Sequence, residues 1–287
     1  MPVLIDRDIP VDIRPSPHPA LRDVRPGLPE NRLPLVRPLR DAPEVSEKRE
    51  IVVGAGGVPA VSYVEDVRDG RPWADLVEVI GPDPADAIMS RLRGWAVSAP
   101  VELSEELVRR GARLLRHAHE MSCDLRRTPI PEASPPDGFR FVPCDRSPEE
   151  IFPAWRAAYP AGHPDHRPRD GGEALREELA PLLRGEILGK LLPCSVLAVD
   201  ARDQVVGGVV INDRGGVPWI SEVFRHPTGA PRGLGALLLR TAQARAVADG
   251  LSTLGLAVTH TNPARHVYER LGFVVTRTSM TVVIPEV

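Results

Sequence analysis

The segment Pro227-Thr-Gly-Ala-Pro-Arg-Gly-Leu-Gly235 runs straight into the apolar stretch Ala236-Leu-Leu-Leu239, and it limits what this chain can fold into. Ahead of it, Pro218–Phe224 reads as a strand. After it, Leu234–Gly250 reads as a helix. A strand that ends in a glycine turn and restarts as a helix leaves the first helical N–H groups without partners in the chain. The helix dipole adds partial positive charge at the same place, so such a turn takes an anion, above all a phosphate. Gly233 and Gly235 keep Cβ atoms off that surface. A Walker A reading fails because no Gly-Lys-Ser/Thr follows. A dinucleotide fingerprint fails because Leu238 stands where its third glycine belongs.

Around this turn the chain divides by composition. Residues 1–43 hold ten prolines, so 1–44 reads as an extended, weakly packed arm. Residues 45–127 read as a globular unit, with strands at Ile51–Val53 and Leu76–Ile80 and helices at Ala85–Arg93 and Glu102–Arg110, the last ended by Gly111. Residues 128–138, rich in proline, read as a linker. From 139 to 287 strands and helices mix. A short strand at Phe139–Val142 precedes a helix capped by Ser147-Pro-Glu-Glu150 and running to about Ala158. A second helix, Glu173–Leu183, precedes an antiparallel pair, Cys194–Asp200 and Val205–Asn212. Beyond the glycine turn and its helix come a strand at Leu254–Val258, a helix at Pro263–Leu271 and a strand at Phe273–Ile284. The fold class is α/β with a mixed sheet.

The turn, the strand after its helix, and Asn262-Pro-Ala-Arg-His-Val-Tyr-Glu-Arg-Leu-Gly-Phe273 together resemble the GNAT superfamily of acetyl-CoA-dependent N-acetyltransferases. The family signature Gln/Arg-x-x-Gly-x-Gly/Ala corresponds to Ala230-Pro-Arg-Gly-Leu-Gly235, and the resemblance covers about 138–287. Ala230 replaces the usual Gln/Arg, and Pro231 removes one backbone donor. The resemblance implies acetyl-CoA as co-substrate, held by Val223, Phe224, Arg225, Ala230, Pro231, Arg232, Gly233, Leu234, Gly235, Ala236 and Asn262. The first unit carries an echo of the second. Arg109, Gly111 and Arg116 match Arg270, Gly272 and Arg277 at one constant offset, which points to two tandem GNAT-like halves. The first is degenerate, since Leu107 stands where the second has Tyr268 and no Gly-x-Gly turn precedes it.

Composition sets outer limits. A net charge of −3 with acids and bases interspersed argues against nucleic acid as partner. Three cysteines, Cys123, Cys144 and Cys194, lack metal or disulfide spacing and suit a reducing compartment. No apolar run reaches transmembrane length and no signal-peptide pattern opens the chain, so the expectation is a cytoplasmic monomer or homodimer without membrane contact.

Acetyl transfer from a thioester to an amine needs a neutral amine, a polarised carbonyl and a proton for the leaving thiolate. By resemblance Tyr268 is the general acid; the alternative is that it only packs its helix against the core. Glu222 stands between apolar Ile220 and Phe224, so alternation puts the three on one face. There Glu222 takes the amine proton, binds the amine as a cation, or pairs with Arg225 or Arg214. Asn262 either touches the cofactor arm or caps the last helix. His163, Asp165 and His166 lie in the loop that walls the acceptor site in GNAT enzymes, and Arg167, Arg169 and Arg176 nearby could meet a carboxylate. A solvated loop is the other reading. His117 and His119 alternate on a strand but find no third ligand at metal spacing, so no metal is expected. Three functions stay open: acetylation of a small-molecule amine, acetylation of a protein lysine or N-terminus, and non-catalytic acyl-CoA binding.

Overall fold

The computed structural model describes residues 48–286 except 69, 128, 129, 131, 167 and 168; the proline-rich arm at 1–44 and Arg167 lie outside the described residues. Among the described residues eleven strands form one sheet. In chain order the first half runs β1 (Arg49–Val53), β2 (Pro59–Arg68), β3 (Arg71–Val79), α1 (Pro84–Arg91), β4 (Ala96–Ala99), α2 (Val101–Arg109) and β5 (Arg113–Asp124). The second half opens with β6 (Arg140–Pro143) and α3 (Pro148–Ala158). A helical run follows, from α4 (Gly171–Glu173) through a π-helical stretch (Ala174–Leu179) into α5 (Ala180–Leu183). It continues with β7 (Val196–Val199), β8 (Val205–Arg214), β9 (Val217–Arg225), α6 (Leu234–Ala248), β10 (Thr253–Thr259), α7 (Ala264–Arg270) and β11 (Val274–Val283).

Local chemistry accounts for these elements. Ser147 and Glu150 close the reciprocal capping box on α3, with Pro148 at the first helical position, a device worth about 1 kcal/mol. β7 and the first eight residues of β8 are buried throughout, as strands covered on both faces must be. Ser195 ties the two together, its hydroxyl accepting from Ile211 N–H at 2.9 Å. β2 was not expected from the sequence, and β3 begins earlier than expected. They form an antiparallel hairpin around Gly70, whose φ is 72°.

The strand order β1-β2-β3-β4-β11-β5-β10-β9-β8-β7-β6 reads nearly the same from both ends. Each half supplies antiparallel strands, three in the first and four in the second, where α3 and the helical run follow the first of them; then come a helix, a parallel strand, a helix and a final strand. The final strands are exchanged: β11 of the second half pairs with β4 of the first, and β5 of the first pairs with β10 of the second. β5 and β11 then pair antiparallel with each other, with Ala118 opposite Ser279. That pair marks a pseudo-twofold axis, because the offset of 161 residues that relates Arg109 to Arg270 and Gly111 to Gly272 also relates 118 to 279. Both glycines adopt positive φ at the ends of their helices, 101° and 87°.

The core follows the exchange. Met121, Cys123 and Leu125 from the end of the first half pack in the cluster beneath α6, with Leu234, Leu238 and Phe273. Val282 and Ile284 from the C-terminus pack in the first half's cluster with Ile88 and Leu107. A third cluster lies on the opposite face of the second half, where α3 and the helical run cover Leu197, Val210 and Phe224. Residues 45–127 and 139–287 therefore share a sheet and trade core side chains.

Residues 128–287 produced alone would present β10 and β11 without the strand between them, two unpaired edges. We expect this piece to lack a cooperative urea transition and to regain one when mixed with residues 45–127. A cooperative transition of the isolated piece, followed by circular dichroism, would contradict the exchange.

Candidate active site

The parallel strands β9 and β10 pair at only two positions, Trp219 with Gly255 and Ile220 with Leu256. Beyond them the strands part, and a cleft opens between the C-terminal end of β9 and the end of β10. Gly255 permits this seam: a Cβ there would lie 2.6 Å from the Trp219 ring. α6 packs on β7, β8 and β9, and the glycine turn joins its start to the end of β9.

Gly233 caps α6 with φ 86° and no side-chain bond to the helix, and the first turn holds no acidic residue. A Cβ at Gly233 or Gly235 would meet nothing within 4 Å, so the turn faces open space. Its approach is built by two side chains of the preceding strand end. The Arg225 guanidinium donates to the carbonyls of His226, Pro227 and Ala230, and His226 Nδ1 accepts from Gly229 N–H at 2.8 Å. Arg225 thus shapes the loop with its side chain. Ala230 is buried against the core beneath α6, which explains a small residue where the family carries Gln or Arg.

Glu222 does not share a face with Ile220. The β8–β9 register slips by one residue, Val210 facing Glu222 and Ile211 facing Ile220, so Ser221 is the extra residue of a β-bulge. Its hydroxyl donates to Asn212 Oδ1 at 2.7 Å. Ile220 packs in the cluster under α6, whereas Phe224 packs in the cluster under α3. The expected alternation is corrected: the bulge turns Glu222 and Phe224 to the α3 side. There Tyr159, at the end of α3, donates its hydroxyl to Glu222 Oε2 at 2.7 Å and lies 3.1 Å from the Val223 carbonyl oxygen. Arg225 is engaged with its loop and Arg214 lies over the Trp219 ring, 4.7 Å from its centroid. Sequence reasoning missed Tyr159, although it opens the Tyr-Pro-Ala-Gly-His segment singled out as the acceptor wall.

That segment folds over the cleft. His166 Nδ1 lies 2.9 Å from the Tyr159 carbonyl oxygen, and His163 Nδ1 accepts from Asp165 N–H at 3.1 Å. Asp165 reaches across to the far strand, where its carboxylate accepts from the Thr259 hydroxyl and, at 2.7 Å, from the Asn262 amide. Asn262 also caps α7, its side-chain oxygen accepting from Ala264 N–H at 2.8 Å. Both polar ends of Asn262 are therefore used within the protein.

Tyr268 projects from α7 toward this group, edge-on to Phe273 with ring centroids 5.9 Å apart. It is buried, and its hydroxyl makes no hydrogen bond to any described residue. Burial first, then the charges of Asp165 and Glu222, push its pKa above the ordinary phenol range. Tyr159 is raised by the same causes, burial ahead of Glu222. The structure thus gathers Tyr268, Glu222, Tyr159 and Asp165 around one cleft, with His163 and His166 in its wall.

The corresponding place in the first half is built differently. Ile80 and Gly81 both donate their N–H groups to the Ala60 carbonyl. α1 starts with Asp83 at φ 50° and carries Asp86 in its first turn, so two carboxylates stand where an anion would sit. Leu107, in the position of Tyr268, is fully buried.

Gly255→Ala forces a methyl group into the Trp219 ring at the base of the cleft. We expect a loss of about 1–3 kcal/mol in unfolding free energy by urea titration; a neutral result would mean that the seam repacks freely.

Residues 149–273 match the family model of the acetyltransferase (GNAT) family. No curated protein is detectably similar in sequence. A GCN5-related N-acetyltransferase from Sphaerobacter thermophilus superposes with a TM-score of 0.53 at 18% identity, over 84% of this chain and 82% of that one. A tandem GNAT protein from the clavulanic acid biosynthesis pathway gives 0.52 at 15% identity, over 79% of each chain. A functionally unknown conserved protein from Staphylococcus epidermidis gives 0.54 at 10% identity, over 85% and 96%. At these identities the likeness is one of fold, and it extends through both halves. The cleft, the glycine turn and the matched residues together identify 149–273 as an acetyltransferase domain of the GNAT family.

Proposed function

We propose that the chain moves an acetyl group from acetyl-CoA to the primary amine of a small molecule, by direct attack in the cleft between β9 and β10. The observation that carries this reading is the buried phenol of Tyr268, whose hydroxyl has no hydrogen-bond partner among the described residues and whose ring packs in the same cluster as Leu234 at the start of the glycine-opened helix. The turn suits the cofactor's pyrophosphate. The Arg232, Gly233 and Gly235 amides make no backbone hydrogen bond among the described residues, while those of Leu234 and Ala236 bond to the Pro231 and Gly233 carbonyls, and the first turn of the helix carries no acidic side chain. The side of β9 that faces away from β8 is no longer matched by β10 beyond Ile220, so the backbone of Val223, Phe224 and Arg225 can receive an extended pantetheine arm as a strand-like partner.

The side chains then divide the proton work. Glu222, oriented by the Tyr159 hydroxyl, takes the proton of the incoming ammonium or binds it as a cation. Tyr268 holds a proton at its phenolic oxygen for the departing thiolate. A raised pKa keeps that proton in place through the neutral range. Cysteine nucleophiles are disfavoured, since burial pushes Cys194 up to about 11 and Cys144 up to about 12, and raises Cys123 as well. That supports transfer in one step over an acyl-enzyme. Asp165 ties the acceptor segment to Thr259 at the end of β10 and to Asn262 beyond it, a fixed wall that we read as favouring a compact amine over an extended peptide. Cytoplasmic location belongs to the same reading; no helix among the described residues is long and apolar enough to cross a membrane.

Two outcomes follow. In Tyr268→Phe the ring packing survives and the proton donor goes, so affinity for acetyl-CoA should stay within about twofold while kcat falls about a hundred- to ten-thousandfold. In the parent protein the high-pH loss belonging to this phenol should lie above pH 10, the ordinary phenol value. A rate–pH profile with any accepted amine tests both, and retained turnover in Tyr268→Phe would remove the assignment. Gly233→Asp puts a side chain and a negative charge on the turn. Calorimetry should find one acetyl-CoA site per chain in the parent and none in this variant; a surviving site would place binding elsewhere.

A further inference from the structure

His117, His119 and His260 meet on one side of the seam between the halves. His260 follows β10 and continues its ladder, donating its N–H to the His117 carbonyl at 2.9 Å. It therefore sits directly across from His117, and their rings stack at 4.1 Å with planes 6° apart. His119, two residues along the same strand, points its Nε2 at His260 Nδ1, 2.9 Å away. One ring nitrogen from each of the three lies within 4.8 Å of the others. Sequence reasoning saw only the first two, because the third ligand comes from a loop 141 residues away from His119.

From this cluster we infer that the chain holds a three-histidine site for a divalent first-row transition metal, with Zn2+ as its simplest occupant. Imidazole nitrogens about 2.0–2.1 Å from a shared ion stand about 3.3 Å apart in tetrahedral geometry. The donors lie within 4.8 Å of one another and must draw closer, which requires the stacked His117 and His260 rings to splay so that their in-plane lone pairs meet at one ion; His260 is exposed and is the ring that turns. His117 Nε2 is buried with no hydrogen-bond partner, an unpaired lone pair or N–H at the same cluster. His119 is already oriented as a ligand. Arg265 Nη1 lies 3.2 Å from its Nε2 and must donate there, so the ring proton sits on Nδ1, 2.8 Å from the Thr278 hydroxyl. A ligand histidine whose other nitrogen is fixed by a hydrogen bond is the usual metal-site arrangement.

Binding has definite local consequences. The Arg265 guanidinium leaves His119, and its Nε keeps the bond to Glu269 at 2.8 Å. His260 moves its Nδ1 proton to its other nitrogen or releases it. The pseudo-twofold does not demand this cluster. The residues related to His117, His119 and His260 by the 161-residue offset are Thr278, Met280 and Ala99, none of them an imidazole. The histidines were placed on one side of a symmetric frame, the side that carries the cleft.

The test is calorimetry of the untagged, chelator-treated full chain with zinc chloride. One ion per chain is expected, with a melting temperature that rises with zinc. His260→Ala alters an exposed side chain and should fold normally, yet bind at least about tenfold more weakly; His117→Ala should behave the same way. His266→Ala, on the exposed face of α7, should bind as the parent does. Cobalt chloride in place of zinc should give a visible ligand-field band in the parent that His260→Ala lacks. No zinc binding by the parent, or equal binding by His260→Ala, would overturn the site.

Discussion

A strand with a neighbour on each side carries two rows of backbone hydrogen bonds, and removing it strands both. β5 is such a strand, and so is β11, yet each lies between elements of the other half. Their pairing, with Ala118 across from Ser279, is the interaction on which the rest depends. It sets β10 at a fixed distance from the first half, and β10 is one wall of the cleft. It also holds His117 and His119 against the segment that begins at Thr259. Because core residues follow the strands across the axis, neither half closes its own hydrophobic cluster.

Two equivalent frames do not give two equivalent sites. The frame places a parallel strand pair and a helix start on each side, and the chemistry is then decided by a few side chains. At α6 the turn has Gly233 in the left-handed region and no acid in the first turn. At α1 the same place has Asp83 and Asp86, with nearby amides already bonded to Ala60. Across from these, Tyr268 is matched by Leu107, an apolar side chain sunk in the core. The first half completes the sheet of the second, and we propose that it serves as scaffold.

Features written in short segments were readable without coordinates. The glycine turn, the capping box at Ser147 and the glycine-ended helices α2 and α7 all depend on neighbours within a few residues, and each formed as expected. The offset between Arg109 and Arg270 exposed the internal likeness because helix length and the following strand are local too. The β2–β3 hairpin is legible too, from Asp69-Gly70 between alternating residues. What the sequence hid depends on distant register. The bulge at Ser221 exists because β9 slips against β8, and a period-two reading of β9 alone cannot see it. Tyr159 and Asp165 join the site only once α3 packs on β9 and the following loop crosses to β10. The strand exchange leaves no mark in composition at all.

We propose that one cleft of this doubled frame does the chemistry. A crystal structure of the full chain with CoA tests it most directly. One CoA per chain is expected, with its pyrophosphate against the turn at Arg232–Ala236, its arm along Val223–Arg225, and its sulfur within hydrogen-bonding reach of the Tyr268 hydroxyl. CoA bound at α1 in the first half, or a sulfur remote from both Tyr268 and Glu222, would contradict it.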